Sequence, residues 1–243
     1  MRRKFGLAAG AVAFLAAAAG AWAAVSQLQA KPGEFDPKQT HLVQGTWLPG
    51  IGCPRNATTA TVNSSGQIVT GPAYTDPACA TGDTRDGLVR GLLLAKTGPT
   101  TNVASAFARI TGVRGSTLTE LGYDLRKPDS AGDPRGSHCG AGAPRFNVVT
   151  SDGTRYFVGC NSPPATTQTA GNGWIRLRWG GGSPLLAYST AGVLTDITGM
   201  TVRSISIVFD EGQDTGPDNF GLAVLDNVDV NGRLVGRGPV SAS

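Results

Sequence analysis

The chain has 243 residues, of which 40% are hydrophobic, 16% charged and 7% aromatic. Its 35 glycines and 15 prolines stay below the roughly 25–30% glycine-plus-proline content that marks low-complexity disorder. These values exclude a disordered tail protein and indicate a turn-rich globular chain with one large domain or two small ones. The formal charge of +4 suggests a nucleic-acid partner only if the basic residues belong to the folded part.

They do not all belong to it. Three cations at positions 2–4 precede an apolar run over residues 5–22 that ends in Ala21-Trp22-Ala23, a small-x-small cleavage pattern. Residues 1–23 are therefore predicted to be a secretory signal peptide, with an uncleaved membrane anchor as the alternative. Cleavage leaves 18 of the 21 basic residues against 17 acidic ones. We expect the processed protein to be extracellular, free of the membrane and without a nucleic-acid partner.

Residues 24–86 are rich in Pro, Gly, Thr and Asn and have few periodic apolar positions, which predicts an irregular leader. An even number of cysteines in an exported chain favours disulfides. Of the three possible pairings, the sequential one is favoured because each bridge closes a compact stretch. It joins Cys53 to Cys79 within the leader and Cys139 to Cys160 further on. Zinc is disfavoured because the sequence has no C-x-x-C and only two histidines.

From residue 87 to 236 short apolar runs alternate with Gly, Pro and Asp turns, which predicts an all-β, antiparallel two-sheet sandwich of the jelly-roll kind. Residues 237–243 are predicted to be a tail. The Ala-rich segment 102–110 is compatible with a strand or a short helix. The predicted strands cover residues 88–96, 117–125, 145–150, 155–160, 173–180, 202–209 and 221–230.

The strand beginning at residue 174 alternates apolar residues with a second set that is aromatic and basic. An outward Trp stacks on the apolar face of a sugar ring, and arginines suit an anionic sugar. The alternative is that the Trp covers other protein segments and that the arginines pair with acidic neighbours. The candidate ligand-binding residues are Trp174, Arg176 and Arg178.

A carboxylate falls in an apolar file of the last long strand, at Asp226. Because a bare buried carboxylate is costly, Asp226 needs a partner, and the acidic loop 210–219 supplies the oxygen ligands that Ca²⁺ prefers. The alternative is a solvated loop, with Asp226 displaced by a bulge or bonded to an arginine. The candidate structural calcium ligands are Asp210, Asp214, Asp218 and Asp226.

The runs ISIVFDEG at 205–212 and LDNVDVNG at 225–232 resemble the closing strands of secreted jelly-roll sandwiches of the carbohydrate-binding-module or galactose-binding-like type. The resemblance implies a non-catalytic domain that binds a glycan or a cell-surface polysaccharide. It also implies a structural calcium for which Asp226 is the matching ligand position. The long cysteine-bearing leader departs from that pattern.

An enzymatic function is not predicted. The Gly-rich loop at 136–142 brings Ser137 and His138 together, but neighbouring residues on an extended chain point in opposite directions. The sequence contains neither G-x-S-x-G nor H-E-x-x-H. A secreted, carbohydrate-binding sandwich is the leading hypothesis, followed by a structural or surface-interaction protein and then by an extracellular hydrolase.

Overall fold

The described part of the chain is all β and contains no α-helix. Two antiparallel seven-stranded sheets form a sandwich, and a two-stranded hairpin lies outside both sheets. The predicted fold class is therefore confirmed. The computed structural model describes residues 28–53, 58–73, 88–98, 102–127, 139, 143–169, 174–211 and 220–235.

The described strands follow the turn punctuation of the sequence. They are, in chain order, β1 (Gln29–Phe35), β2 (Val43–Leu48), β3 (Thr58–Val62), β4 (Ile68–Ala73), β5 (Gly91–Thr97), β6 (Ser105–Thr111), β7 (Glu120–Arg126), β8 (Arg145–Thr150), β9 (Arg155–Gly159), β10 (Thr166–Thr169), β11 (Trp174–Gly180), β12 (Leu186–Ser189), β13 (Leu194–Asp196), β14 (Val202–Phe209), β15 (Phe220–Val230) and β16 (Arg233–Val235).

Several successive strands lie in opposite sheets, so that many neighbours within a sheet are distant in sequence. Sheet A has the order β1-β6-β14-β8-β9-β12-β13, and sheet B has the order β10-β11-β7-β15-β5-β2, with β16 added to β15. The run β5, β6, β7, β8 changes sheet at every step, as does β14 to β15. This alternation is typical of jelly-roll sandwiches.

The Ala-rich segment is a strand, because Ala106, Ala108 and Ile110 recur with a period of two and all three are buried in the core. The predicted bounds of β8 and β14 match the structure, and those of β9 and β11 match within one residue. A period of two thus located the central strands of both sheets.

The leader predicted to be irregular over 24–86 is instead regular in its described parts, which contain the strands β1, β2, β3 and β4. Strand β1 pairs with β6 at one edge of sheet A, and β2 pairs with β5 at the same edge of sheet B. The Trp47 indole nitrogen donates a hydrogen bond of 2.9 Å to the Ala30 carbonyl oxygen, which joins the two edge strands. A Cβ on Gly45 would lie 2.6 Å from the Gly33 carbonyl oxygen. The two glycines, which make the strand pattern less regular in the sequence, therefore allow β1 and β2 to approach each other closely.

The core between the sheets is centred on an aromatic cluster, Tyr123, Phe146 and Trp179, with ring centroids 5.4 to 6.1 Å apart. The predicted Cys139–Cys160 disulfide is present, with a Cα–Cα distance of 5.3 Å. Cys53 is also disulfide-bonded, and its predicted partner, Cys79, lies outside the described residues. The predicted signal segment lies outside them too, and none of the described elements is a helix long and apolar enough to cross a bilayer.

Candidate functional site

Trp174 lies on the outer face of sheet B, opposite the main core, as its position in the alternation predicted. It is nevertheless only 1% exposed, because it packs with Cys53 and Val224 in a second apolar cluster. The chain passes over this face after β2, where the Cys53 backbone nitrogen donates to Asp226 Oδ2 at 2.7 Å. The prediction that Trp174 stacks on a sugar is therefore wrong, since its ring has no open face.

Arg176 and Arg178 are already paired with carboxylates of the protein. Arg176 donates to the fully buried Asp124 from Nε at 2.8 Å and from the second terminal nitrogen at 3.0 Å. Arg178 Nε lies 3.2 Å from Asp229 Oδ2, and its NH1 donates to the Leu177 carbonyl oxygen. Their side chains are 12% and 15% exposed. The two arginines thus belong to an ionic network that crosses β11, β7 and β15 rather than to a ligand site.

Burial controls the titration of this network. Desolvation raises the pKa of Asp124, against the opposing effect of Arg176 and Asn227. Desolvation also raises the pKa of Asp229 to about 6, with Arg178 opposing the rise. The pKa of Arg178 is lowered for the same reason. Perturbed groups of this kind occur in functional sites and in structural ion-pair networks alike, and here the partners are supplied by the protein.

Asp226 shares the outer side of β15 with Leu222 and Val224, but the predicted file does not continue to Val228, which lies in the main core. The pairing of β15 with β7 shifts between Asp226 and Asp229, and Asn227 has a φ of 44° there. This bulge reverses the alternation, so that Leu225 and Val228 both face the main core while Asp226 faces the other side. The Asp226 carboxylate accepts hydrogen bonds of 2.7 Å from the backbone nitrogens of Cys53 and Asn227.

The predicted calcium ligands are only partly described. Arg145 donates to both carboxylate oxygens of Asp210 at 2.6 Å. Burial acts to raise the pKa of Asp210, but the hydrogen bonds and charge of Arg145 hold that pKa below its usual value. Asp214 and Asp218 lie outside the described residues. Among the described residues no group of three or more His, Cys, Asp or Glu side chains is placed to hold a metal ion.

The outer face of sheet A presents a different arrangement. A row of side chains crosses six strands at right angles, because each residue pairs directly with the next in the antiparallel registers. Strands lie about 4.8 Å apart, so the row is about 24 Å long. In each of β9, β8 and β14 the alternate residues are buried in the core, which directs the row outward. This sheet A row consists of Tyr188, Phe157, Asn147, Ser206, Arg109 and Lys31.

Most polar side chains of the sheet A row form no hydrogen bond with the described protein. The Tyr188 hydroxyl, the Asn147 amide, the Ser206 hydroxyl and the Arg109 guanidinium have no hydrogen-bond partner within the part of the chain that the structure describes. In sheet B, by contrast, the arginines and carboxylates saturate one another. Phe157 and Tyr188 are half-buried and face each other as a cross-strand pair.

Neighbouring residues hold this row in place. Arg145, itself anchored by Asp210, lies over the Phe157 ring with its guanidinium carbon 5.9 Å from the centroid. Phe107 lies on the same face above Gly33, where a Cβ would come within 2.6 Å of the phenyl ring. Arg145 therefore packs against the aromatic end of the row, and Phe107 packs beside its basic end on β6 and β1.

A cleft of about 310 Å³ adjoins one end of this face. It lies where β6 and β8 end and β14 begins, between the turns at Arg114-Gly115 and at Ser151. The Gly115 and Ser151 backbone nitrogens donate to the carbonyl oxygens of Val202 and Thr201. Because these two backbone nitrogens are already bonded, side chains provide the polar lining of the cleft. They are those of Arg114, Arg203, Ser151 and Thr201.

A larger cleft of about 490 Å³ lies over β2, β5 and β15 on the outer side of sheet B. Its floor is aliphatic, with Leu93, Ala95 and Leu222, and its described lining includes no Phe, Tyr or Trp side chain. The Glu34 carboxylate at its rim already accepts a hydrogen bond of 3.3 Å from the Gly45 backbone nitrogen. This cleft lacks the stacking surface that the sheet A row provides.

The sequence contained a signal for the sheet A row. In β9, Tyr156 and Val158 are core residues and Phe157 points the other way, which a period of two predicts. What the sequence did not indicate is that Tyr188 of the short strand β12 lies beside Phe157, because that pairing depends on the order of strands in the sheet.

No family model matches the chain, and no curated protein matches it. Three solved structures are similar to this chain: two carbohydrate-binding modules and one glucanase. A family 11 carbohydrate-binding module from Clostridium thermocellum, in complex with a β-1,3-1,4-mixed-linked tetrasaccharide, is 13% identical, with 87% of this chain and 98% of that chain covered and a TM-score of 0.34.

The family 11 carbohydrate-binding module of the Clostridium thermocellum cellulosomal cellulase Lic26A-Cel5E is 12% identical, with 84% and 96% covered and a TM-score of 0.32. A β-1,2-glucanase from Parabacteroides distasonis is 12% identical, with 78% and 23% covered and a TM-score of 0.29. At these identities, function has to be inferred from the chain's own side chains.

Proposed function

We propose that this protein is a secreted, non-catalytic β-sandwich that binds a glycan on the outer face of sheet A. The observation that carries the proposal is the sheet A row, in which the Phe157–Tyr188 pair is continued by polar side chains that have no partner in the described protein. The buried arginines and carboxylates of sheet B, which pair with one another, offer no comparable surface.

The chemistry of the row suits a sugar. A pyranose has an apolar face that stacks on an aromatic ring and a rim of hydroxyls that need donors and acceptors. Phe157 and Tyr188 provide the ring surface, while Ser206, Arg109 and the Asn147 amide nitrogen provide hydrogen-bonding groups further along the same line. The Asn147 amide oxygen is buried. A row of about 24 Å accommodates several sugar units, so an oligosaccharide or a polysaccharide chain is the expected ligand.

Export and the absence of catalysis are inferred from the sequence. The basic and apolar start of the chain favours secretion, and the Cys139–Cys160 disulfide fits an oxidising compartment. The non-catalytic assignment rests on the missing nucleophile and metal-hydrolase motifs.

A glycan array followed by calorimetry on the best ligand tests the proposal. Phe157→Ala and Tyr188→Ala should each weaken binding at least about tenfold, because truncating an aromatic anchor removes the stacking surface. Tyr188→Phe keeps the ring and should lose less. The matched control is Phe35→Ala, which removes an exposed phenylalanine four strands away on β1 and should leave affinity unchanged. Unchanged binding by the Phe157→Ala/Tyr188→Ala double variant, or no binding to any glycan, would overturn the proposal.

A further inference from the structure

We infer that the glycan is anionic, and that the cleft lined by Arg114, Arg203, Ser151 and Thr201 binds one of its carboxylate or sulfate groups. This inference rests on the proposed function and specifies its ligand. It is carried by the basic residues on and beside the sheet A row, which have no acidic partners in the described protein.

Five cations share this side of the molecule. None forms an ion pair with any described residue, whereas Arg145, Arg176 and Arg178 all do. All five are exposed. Three of them project from sheet A and two line the cleft: Lys31, Arg109 and Arg155, then Arg114 and Arg203.

The described carboxylates nearby form no ion pair with these five cations. Both oxygens of Asp210 are bound by Arg145. Asp152, next to the cleft, turns back into its own hairpin, where it accepts hydrogen bonds from the Thr154 backbone nitrogen and from the hydroxyls of Thr150 and Thr154. The five cations outnumber the one nearby described carboxylate, Asp152, that is not already paired with an arginine, and such an excess of positive charge produces a local potential that attracts anions.

The cleft also continues the binding face. Arg203 is the extra residue of a bulge in β14, between Val202 and Ser204, and Ser204 pairs with Val149 in the row of side chains next to the sheet A row. Two residues along a strand span about 7 Å, so the cleft begins about that far from the Ser206 position of the sheet A row, within reach of a glycan chain that follows the row. Because the adjoining backbone nitrogens are already bonded, the anion's partners are side chains.

Arginine suits that task. Its planar guanidinium binds carboxylate, sulfate and phosphate with two parallel hydrogen bonds. Nucleic acid presents phosphates as well, but the processed chain is close to neutral, and the cations here flank an aromatic sheet face rather than a groove. An acidic glycan satisfies both the aromatic pair and the arginines.

The test compares glycans that share one backbone, in neutral, uronate-bearing and sulfated forms, using the full processed protein. The anionic forms should bind at least about tenfold more tightly than the neutral one, the size expected for a hydrogen bond to a charged group. The ratio of anionic-glycan affinity to neutral-glycan affinity should fall when the salt concentration is raised from about 0.05 M to about 0.5 M, because added ions screen exposed charges. The uronate and sulfate arms identify which anion is preferred.

The variant Arg114→Gln/Arg203→Gln should remove most of the anionic advantage and leave neutral-glycan affinity unchanged. The control is Arg126→Gln, which removes an exposed cation from the outer side of sheet B and should change neither. Equal binding of neutral and anionic forms would overturn this inference while the proposed function stands. Tighter binding of a duplex or single-stranded oligonucleotide, weakened by the same double variant, would overturn the glycan assignment itself.

Discussion

Arg176 and Asp124 form a two-point ion pair across the β11–β7 register, and the Asp124 carboxylate is fully buried beneath it. Asn227 Nδ2 adds a third hydrogen bond of 2.7 Å to Asp124. A buried carboxylate and its arginine are mutually dependent, because either one alone is a desolvated charge.

Asp124→Ala should therefore lower the free energy of unfolding by about 3–5 kcal/mol. The double variant Asp124→Leu/Arg176→Leu should recover most of that loss, because it removes both charges. Chemical denaturation measures both. The control is Asp210→Asn at the more exposed pair with Arg145, where we expect a loss of less than about 1 kcal/mol. An equal loss for Asp124→Ala and Asp210→Asn would contradict this account.

Asp229 should make the protein less stable as the pH rises. Its pKa in the folded state is raised to about 6 by burial, so the folded protein holds a proton that the unfolded chain releases near its ordinary pKa. The stabilisation is complete below that ordinary value and is lost as the pH rises through about 6, by about 2–3 kcal/mol. Denaturation curves measured between pH 4 and pH 7, as approximate limits of this window, should show the decline.

Asp229→Asn should reduce that decline without abolishing it, since burial raises the pKa of Asp124 too. Asp152→Asn is the control: hydrogen bonds from Thr150 and Thr154 lower the pKa of Asp152. Its contribution is present above the ordinary pKa and is lost only at more acidic pH, so this variant should leave the decline unchanged. A wild-type profile that rises over the same window would show that the Asp229 assignment is wrong.

Trp174 should matter for stability and not for binding. Trp174→Ala creates a cavity beside Cys53 and Val224, with an expected loss of about 3–5 kcal/mol. Trp174→Phe keeps most of the packing and should bind every glycan that the parent binds, with unchanged affinity. A loss of glycan binding by a folded Trp174→Phe protein would return the binding site to sheet B.

The proposed calcium site predicts a rise in melting temperature between excess chelator and millimolar calcium, because a ligand that binds only the folded state stabilises it. Asp226→Asn should abolish the rise if Asp226 is a ligand. The Asp226 carboxylate accepts hydrogen bonds from the Cys53 and Asn227 backbone nitrogens. In this variant the amide oxygen can still accept one of these two bonds. An identical melting temperature with and without calcium removes the site.

The sequence alone predicted the inner strands of both sheets and which way most of their side chains point. The β8–β9 hairpin illustrates this, because Asp152-Gly153 supplies the positive φ that a tight turn needs, and Gly153 has a φ of 88°. Strand β14 has its predicted bounds, and its alternate residues Ile205, Ile207 and Phe209 are buried in the core, as a period of two requires. These features depend on residues close together in the chain, where periodicity and turn chemistry act directly.

Only the tertiary structure decided which outward side chains are open. Trp174 points away from the main core as its alternation requires, yet the segment that follows β2 covers it. Tyr188 comes from a four-residue strand, and it becomes part of a binding row because β12 pairs with β9. The physical reason is that the side of a strand is set by the local backbone, whereas access to solvent on that side is set by packing between segments that are far apart in the chain.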